Sequence, residues 1–261
     1  MNNPSSSLAG RVPAGMPGPL DGRGACSANS PSRPLPPSRG LFITGTDTGV
    51  GKTYASVLLV RALRQNGLRV AVMKPVAAGV EDDGMNADVR LLMNASNVPA
   101  SPKLVNPYCF VPAVAPHIAA RREGVEMRLD VIERAYAELA SQADIVVVEG
   151  AGGFLVPFND TCGMDAIPRH LGLPVVMVVG LRLGCLNHAL LTAEAIHARG
   201  LPLAGWLANR VDPHMQAAEE NLTILHSILR SPCLGEIPWG ENSAQGLASG
   251  SDLILKAIGL A

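Results

Sequence analysis

The stretch Gly45-Thr46-Asp47-Thr48-Gly49-Val50-Gly51-Lys52-Thr53 constrains this chain more than any other. Small residues and glycines let successive backbone N–H groups turn towards one anion, and the helical pattern that follows presents the positive end of its dipole. Lys52 is placed to reach the β- and γ-phosphates of a nucleotide, and the Thr53 hydroxyl to hold Mg²⁺. The apolar Leu41-Phe42-Ile43 supplies the strand that such a loop must follow. The spacing departs from the usual form. Five residues separate Gly45 from Gly51 instead of four, and Thr46 stands where the first glycine belongs. A glycine-rich strand-to-helix turn with an incidental Lys-Thr is the alternative reading.

With 261 residues, 48% of them hydrophobic, the chain can bury a large core, and one folded domain over 39–261 is expected. A net charge of -1 and the lack of any basic run of five argue against a nucleic-acid surface, so the expected partners are small molecules. No apolar run approaches the roughly 18 residues of a membrane span, and no secretory h-region opens the chain. Five cysteines, scattered and never in a Cys-x-x-Cys pair, indicate neither a disulfide framework nor a zinc site. A cytoplasmic location and no membrane partner are the expectation. Residues 1–38 are rich in Pro, Ser, Gly and Ala with Asp21 as their one acidic group, which reads as a disordered extension.

From Leu41 onwards short apolar runs alternate with helical stretches, the pattern of a parallel sheet with crossover helices. Strands are expected at Leu41–Thr44, Arg69–Lys74, Asp144–Glu149, Val175–Val179, Gly205–Asn209 and Leu234–Ile237. Most are apolar at consecutive positions, as when helices cover both sheet faces. Helices are expected over Lys52–Gln65, Asp130–Gln142, Leu186–Arg199, Met215–Leu229 and Ala244–Ile258, with a short one at Ala87–Asn94 in an otherwise irregular segment from Ala77 to Val125.

In such folds ligands sit at the carboxyl ends of the strands, and polar residues gather there. Lys74 follows Val70-Ala71-Val72-Met73 and would project a cation towards the phosphates, unless it merely caps the strand in solvent. Glu149 closes Ile145-Val146-Val147-Val148, where a carboxylate beside a phosphate loop is a Walker-B-like metal ligand. A structural salt bridge is the other reading. Asp88, near a helix start, is by position alone more readily a cap or dipole partner. Asn209-Arg210-Val211-Asp212 is like the base-reading Asn-Lys-x-Asp of GTPases with Arg for Lys, which leaves the base undecided. No Ser/His/Asp or Cys/His arrangement is present for covalent catalysis.

Taken together, the blocks resemble the dethiobiotin synthetase family over residues 40–258. They run from Phe42–Thr53 through Lys74-Pro75-Val76-Ala77-Ala78-Gly79, Asn106-Pro107-Tyr108, Ala115-Pro116-His117 and Val148–Gly153. Leu183-Gly184-Cys185-Leu186-Asn187-His188, Gly205–Asn209 and Gly235-Glu236-Ile237-Pro238-Trp239 complete the order. The five-residue spacing of the loop is that family's own form. The resemblance implies an α/β, three-layer P-loop NTPase-like fold with a mainly parallel sheet flanked by helices, and a homodimer.

The activity it implies is an ATP-dependent ligase of biotin biosynthesis that closes a cyclic urea on 7,8-diaminopelargonate with CO₂, releasing ADP and phosphate. By resemblance, Thr53, Asp88 and Glu149 match Mg²⁺ ligands, Lys74 the active-site lysine, and Lys52 and Thr48 the phosphate and carbamate contacts. Nucleotide contacts are implied at Gly49, Val50, Gly51 and Tyr54, and at Gly150, Ala151 and Gly152. Asn209, Arg210, Ile237, Pro238 and Trp239 match the nucleobase pocket. Substrate contacts are implied at Thr48, Lys74 and Ala78, and at Leu186 and Asn187 near the dimer interface. Ala78 and Ala115 stand where serines are frequent, so a hydroxyl contact is lost at each. A partitioning-type switch ATPase and a cobyrinate-type ATP-dependent ligase are the alternative readings; this chain is too short to carry the glutaminase domain of the latter.

Overall fold

Strands apolar at every position need cover on both faces, and the fold supplies it. The computed structural model describes residues 40–240 together with Asp252, Leu255 and Lys256. The expected disordered extension over 1–38 lies outside the described residues, as does most of the helix expected over 244–258. A six-stranded sheet is built from β1 (Gly40–Gly45), β2 (Val70–Met73), β5 (Ile145–Gly153), β6 (Val175–Leu181), β7 (Leu203–Arg210) and β8 (Cys233–Ile237) in the order β2-β5-β1-β6-β7-β8. Every pairing in it is parallel.

The side-chain alternation of β1 divides the core. Leu41 and Ile43 pack with Leu58, Leu59 and Leu63 of α1 (Lys52–Gln65) and with Leu92 of α2 (Ala87–Ala95), on one face of the sheet. Phe42 points the other way, among Ile132, Tyr136 and Leu139 of α5 (Leu129–Gln142). Trp206, Met177 and Val179 extend that second side beneath α7 (Cys185–Ala198) and α8 (Ala218–Ile228). Three layers result, with β1 between β5 and β6, so the loop after β1 is flanked by the ends of both neighbours.

The expected strands and longer helices within the described residues are present, with ends shifted by a few residues. α8 starts three residues after the expected Met215 because Ala217 takes a left-handed conformation at φ 53°. The segment from Ala77 to Val125 is more ordered than its sequence suggests. β3 (Val76–Ala78) and β4 (Tyr108–Phe110) pair in a small parallel sheet of their own, joined through α2 and α3 (Pro102–Val105) and followed by α4 (Pro116–Glu123). Three-residue strands are too short to display a period, and their partners lie 32 positions apart. α6 (Ala166–Leu171), at six residues, is likewise too short to display a period. Among the described residues, Cys109, Cys185 and Cys233 are free thiols.

Among the described residues no helix is long and apolar enough to cross a membrane.

Candidate active site

The phosphate loop begins where β1 ends and closes on Gly51, which caps α1 in a left-handed conformation at φ 79°. No side chain caps α1 and no acidic residue lies in its first turn, so its leading N–H groups face the loop with the dipole uncompensated. Val50 is the buried anchor of the loop. A Cβ on Gly45 would meet its Cγ2 at 2.7 Å and one on Gly180 its Cγ1 at 2.9 Å, so these two glycines make the slot that Val50 fills. Lys52 curls back to donate to the Asp47 carbonyl at 3.2 Å. Burial depresses its pKa, against the pull of Glu149. The Asp47 carboxylate is held in two directions: one oxygen accepts the Thr48 N–H at 2.7 Å, the other pairs with Arg182 at 2.5 Å.

Glu149 does not end its strand. β5 runs on to Gly153, and opposite Thr44 alone it carries three residues, Gly150, Ala151 and Gly152. That slip needs glycine: a Cβ at Gly150 would lie 2.7 Å from the Phe42 ring, and Gly152 takes φ 67° with Thr48 Oγ1 3.6 Å from its Cβ position. The bowed strand thus brings Thr48 and the Glu149 segment against each other.

Glu149 itself has no solvent exposure. Its Oε1 accepts from Thr53 Oγ1 at 2.8 Å and from Lys74 Nζ at 2.5 Å. Its Oε2 is buried with no hydrogen-bond partner. A carboxylate oxygen left so is costly unless a cation meets it. Lys74, only 4% exposed, also pairs with Asp88 Oδ2 at 3.0 Å. Burial works to lower the Lys74 pKa, but the Glu149 and Asp88 carboxylates outweigh it and the net direction is up. Its stabilising charge is therefore complete below the ordinary 10.5 and lost only as pH rises through the higher folded value. Burial works to raise the Asp88 pKa, but Lys74, the Thr53 hydroxyl and Lys52 together pull it down overall.

Thr53 meets Glu149 at Oε1 and Asp88 meets the same Lys74, so Thr53, Asp88 and Glu149 form an all-oxygen donor set beside the orphaned carboxylate, which suits a hard divalent cation. Among the described residues no group of three or more His, Cys, Asp or Glu could hold a metal by itself. Two carboxylates and a hydroxyl, completed by phosphate and water, are the usual provision for Mg²⁺.

The other expected residues divide into those near this centre and those placed elsewhere on the sheet edge. Asn209 is buried and donates from Nδ2 to the Val50 carbonyl at 2.9 Å. Arg210 turns to Glu236 and Glu219, so its guanidinium is engaged by protein carboxylates. Ile237 is buried at the end of β8, with Pro238 half-buried and Trp239 exposed beyond it. Tyr54 is half-buried in the first turn of α1. Leu186 and Asn187 lie in the first turn of α7, three and four residues after Leu183, which is 96% exposed. Ala78 closes β3, its backbone within reach of Asn86.

Two asparagines do structural work here: Asn106, which stood in a resembling block with no role assigned, and Asn86, which no sequence signal marked. Asn106 donates from one Nδ2 to the carbonyls of Lys74 at 2.6 Å and Tyr108 at 3.1 Å, so the buried lysine is presented from a tethered backbone. Asn86 caps α2. An asparagine outside helices and strands ordinarily reads as a turn residue, and only its partners distinguish a tether from a turn.

Packing at Gly51 yields a prediction. A Cβ there would lie 2.1 Å from Asn209 Nδ2, at a φ that L-residues resist. Gly51→Ala should destabilise the protein by about 2 to 4 kcal/mol, from backbone strain plus overpacking, in thermal unfolding. ATP affinity should fall about 10-fold or more by calorimetry. Wild-type behaviour in both would show that the loop is not held by this contact.

A family model described as AAA domain matches residues 39–245. The protein of Nitrosospira multiformis named ATP-dependent dethiobiotin synthetase BioD is 53% identical over 216 residues, covering 82% of this chain and 95% of the relative. One of Aromatoleum aromaticum with the same name is 49% identical over 216 residues, covering 81% and 96%. Among solved structures, a chain of the MinC:MinD cell division protein complex of Aquifex aeolicus aligns with a TM-score of 0.50 at 13% identity, over 85% of this chain and 94% of that one. That likeness is one of fold, a parallel sheet between helices.

Proposed function

The chain belongs to the family of ATP-dependent dethiobiotin synthetases, and from that premise we propose how its site performs the reaction. It is a ligase of biotin biosynthesis that uses ATP to join CO₂ to 7,8-diaminopelargonate and close a cyclic urea. One amine adds to CO₂ and loses a proton, giving a carbamate. A carbamate oxygen then attacks the γ-phosphorus and ADP departs. The second amine attacks the carbonyl carbon of the resulting mixed anhydride, phosphate leaves, and dethiobiotin is formed.

The observation that carries this reading is the buried Lys74–Glu149 pair set against the phosphate loop, with Asp88 and Thr53 on its flanks. Carbamate and transferring phosphoryl group are both anionic, so their approach demands fixed positive charge, and Lys74 and Lys52 supply it from tethered positions. Thr48, beside Gly152, is the hydroxyl that faces the carbamate. Thr53, Asp88 and Glu149 would hold Mg²⁺, which when bound neutralises charge on the phosphate oxygens. Catalysis then rests on positioning and electrostatics, with no covalent nucleophile on the enzyme.

The remaining contacts belong to the same proposal. A carbonyl can only accept, so Asn209 must turn Nδ2 to Val50 and keep Oδ1 as an acceptor. An acceptor suits the exocyclic amine of adenine and not the carbonyl of guanine. Arg210, engaged by Glu236 and Glu219, would act in the base pocket by holding β7 to β8 beside Ile237, Pro238 and Trp239. The first turn of α7, with Leu186 and Asn187, would receive the substrate carboxylate at a homodimer interface, which the exposed Leu183, Leu190 and Leu191 support. We place the enzyme in the cytoplasm.

The test is to incubate purified protein with 7,8-diaminopelargonate, bicarbonate, Mg²⁺ and either ATP or GTP. Dethiobiotin should appear by mass spectrometry, faster with ATP than with GTP. Folded protein that makes none would overturn the proposal, and a preference for GTP would overturn the role of Asn209.

A further inference from the structure

Asn86 joins two parts of the site. It is 8% exposed, and its carboxamide is used on both arms. Nδ2 donates to the Gly79 carbonyl at 2.7 Å and, more weakly, to that of Ala78 at 3.4 Å. Oδ1 accepts from the backbone N–H of Asp88 at 3.1 Å and of Val89 at 3.3 Å. Carbonyls only accept and N–H groups only donate, so the partners fix the orientation of the amide.

The turn that Asn86 grips is held from its other side as well. The Gly79 N–H donates to the Phe110 carbonyl at 2.9 Å, and Gly79 sits at φ 85° with its Cβ position 3.3 Å from Ala113 Cβ. The backbone after β3 is therefore fixed between β4 and Asn86. Asp88, whose N–H Asn86 receives, reaches Lys74 at 3.0 Å. One side chain thus ties the turn carrying Ala78 to the turn carrying Asp88. Position 78 has no hydroxyl to offer and can present only backbone and a methyl group, so whatever docks there depends on where that backbone stands.

We propose that Asn86 is a positioning residue for the diamine substrate, setting the Ala78–Gly79 backbone at a defined place relative to Lys74 and Asp88. This rests on the reading above that Ala78 borders the diamine. The two arms can be separated. Asn86→Ser keeps an acceptor for the α2 N-terminus, where serine is a good cap, and removes the donor to Gly79. Asn86→Asp keeps the cap and turns a carboxylate against the two carbonyls.

Steady-state kinetics of both variants should show KM for the diamine raised about 10-fold in Asn86→Ser and more in Asn86→Asp, with KM for ATP within about 2-fold of wild type, since a misplacement of about 1 Å can cost 10²-fold. In ligand-free Asn86→Ser, hydrogen exchange should accelerate at residues 79–81 and stay unchanged at Val89–Leu92, a change that a merely structural cap would not produce. Unchanged KM for the diamine with active wild-type enzyme would overturn the proposal, as would equal acceleration in α2. Wild-type protein that makes no dethiobiotin would overturn the functional reading and this one with it.

Discussion

Lys74→Ala is expected to lower kcat by about 10² to 10³, the usual loss when one preorganised electrostatic contact is removed, while ATP still binds. It should also weaken the ligand-free protein, for a reason that lies in packing. Glu149 is fully buried and Lys74 is its cationic partner. Removing one member of a buried pair leaves the other uncompensated and costs about 3 to 5 kcal/mol. For a chain of this size that is a fall of roughly 6 to 20 °C in Tm. Mg²⁺-ATP should restore much of it, because a bound cation would meet the stranded carboxylate. Turnover with saturating substrates and thermal scans with and without Mg²⁺-ATP check both halves. Unchanged turnover would remove Lys74 from the mechanism.

Glu149→Gln is the complementary experiment, since it keeps shape and removes charge. The amide oxygen can still accept from Thr53 and Lys74, and the amide nitrogen takes the place of the orphaned Oε2. The expected result is a loss of about 10² to 10³ in kcat and a collapse of the Mg²⁺ dependence of ATP binding, measured by calorimetry with the metal present and then chelated. ATP binding without metal should change little. If Mg²⁺ strengthens binding as much in the variant as in wild type, Glu149 is not a metal ligand.

Both residues were legible because each follows directly on an apolar run, and a charge at that position must meet something. The same logic marked β1, α1 and the main sheet, where long consecutive apolar runs and a strong helical period left little freedom. It failed where elements are short. β3 and β4 carry no readable pattern, yet they pair, and their pairing places Ala78 and Gly79. It also understated β5, whose strand passes through Glu149 to Gly153 because the glycines there permit a slip in register. Asn86, Asn106 and Arg182 act through partners distant along the chain or across a turn, which no local spacing encodes.

By itself the sequence determined the class of sheet, the phosphate loop with its irregular spacing, the family, and the charged residues that follow the apolar runs, because these depend on residue order within a few turns. Only the tertiary structure decided that Lys74 is committed to Glu149 and Asp88, that one carboxylate oxygen is left without a partner, and that Arg210 faces Glu236 and Glu219. Those outcomes follow from which strand ends the parallel order brings side by side. Burial then decides which charges must pair.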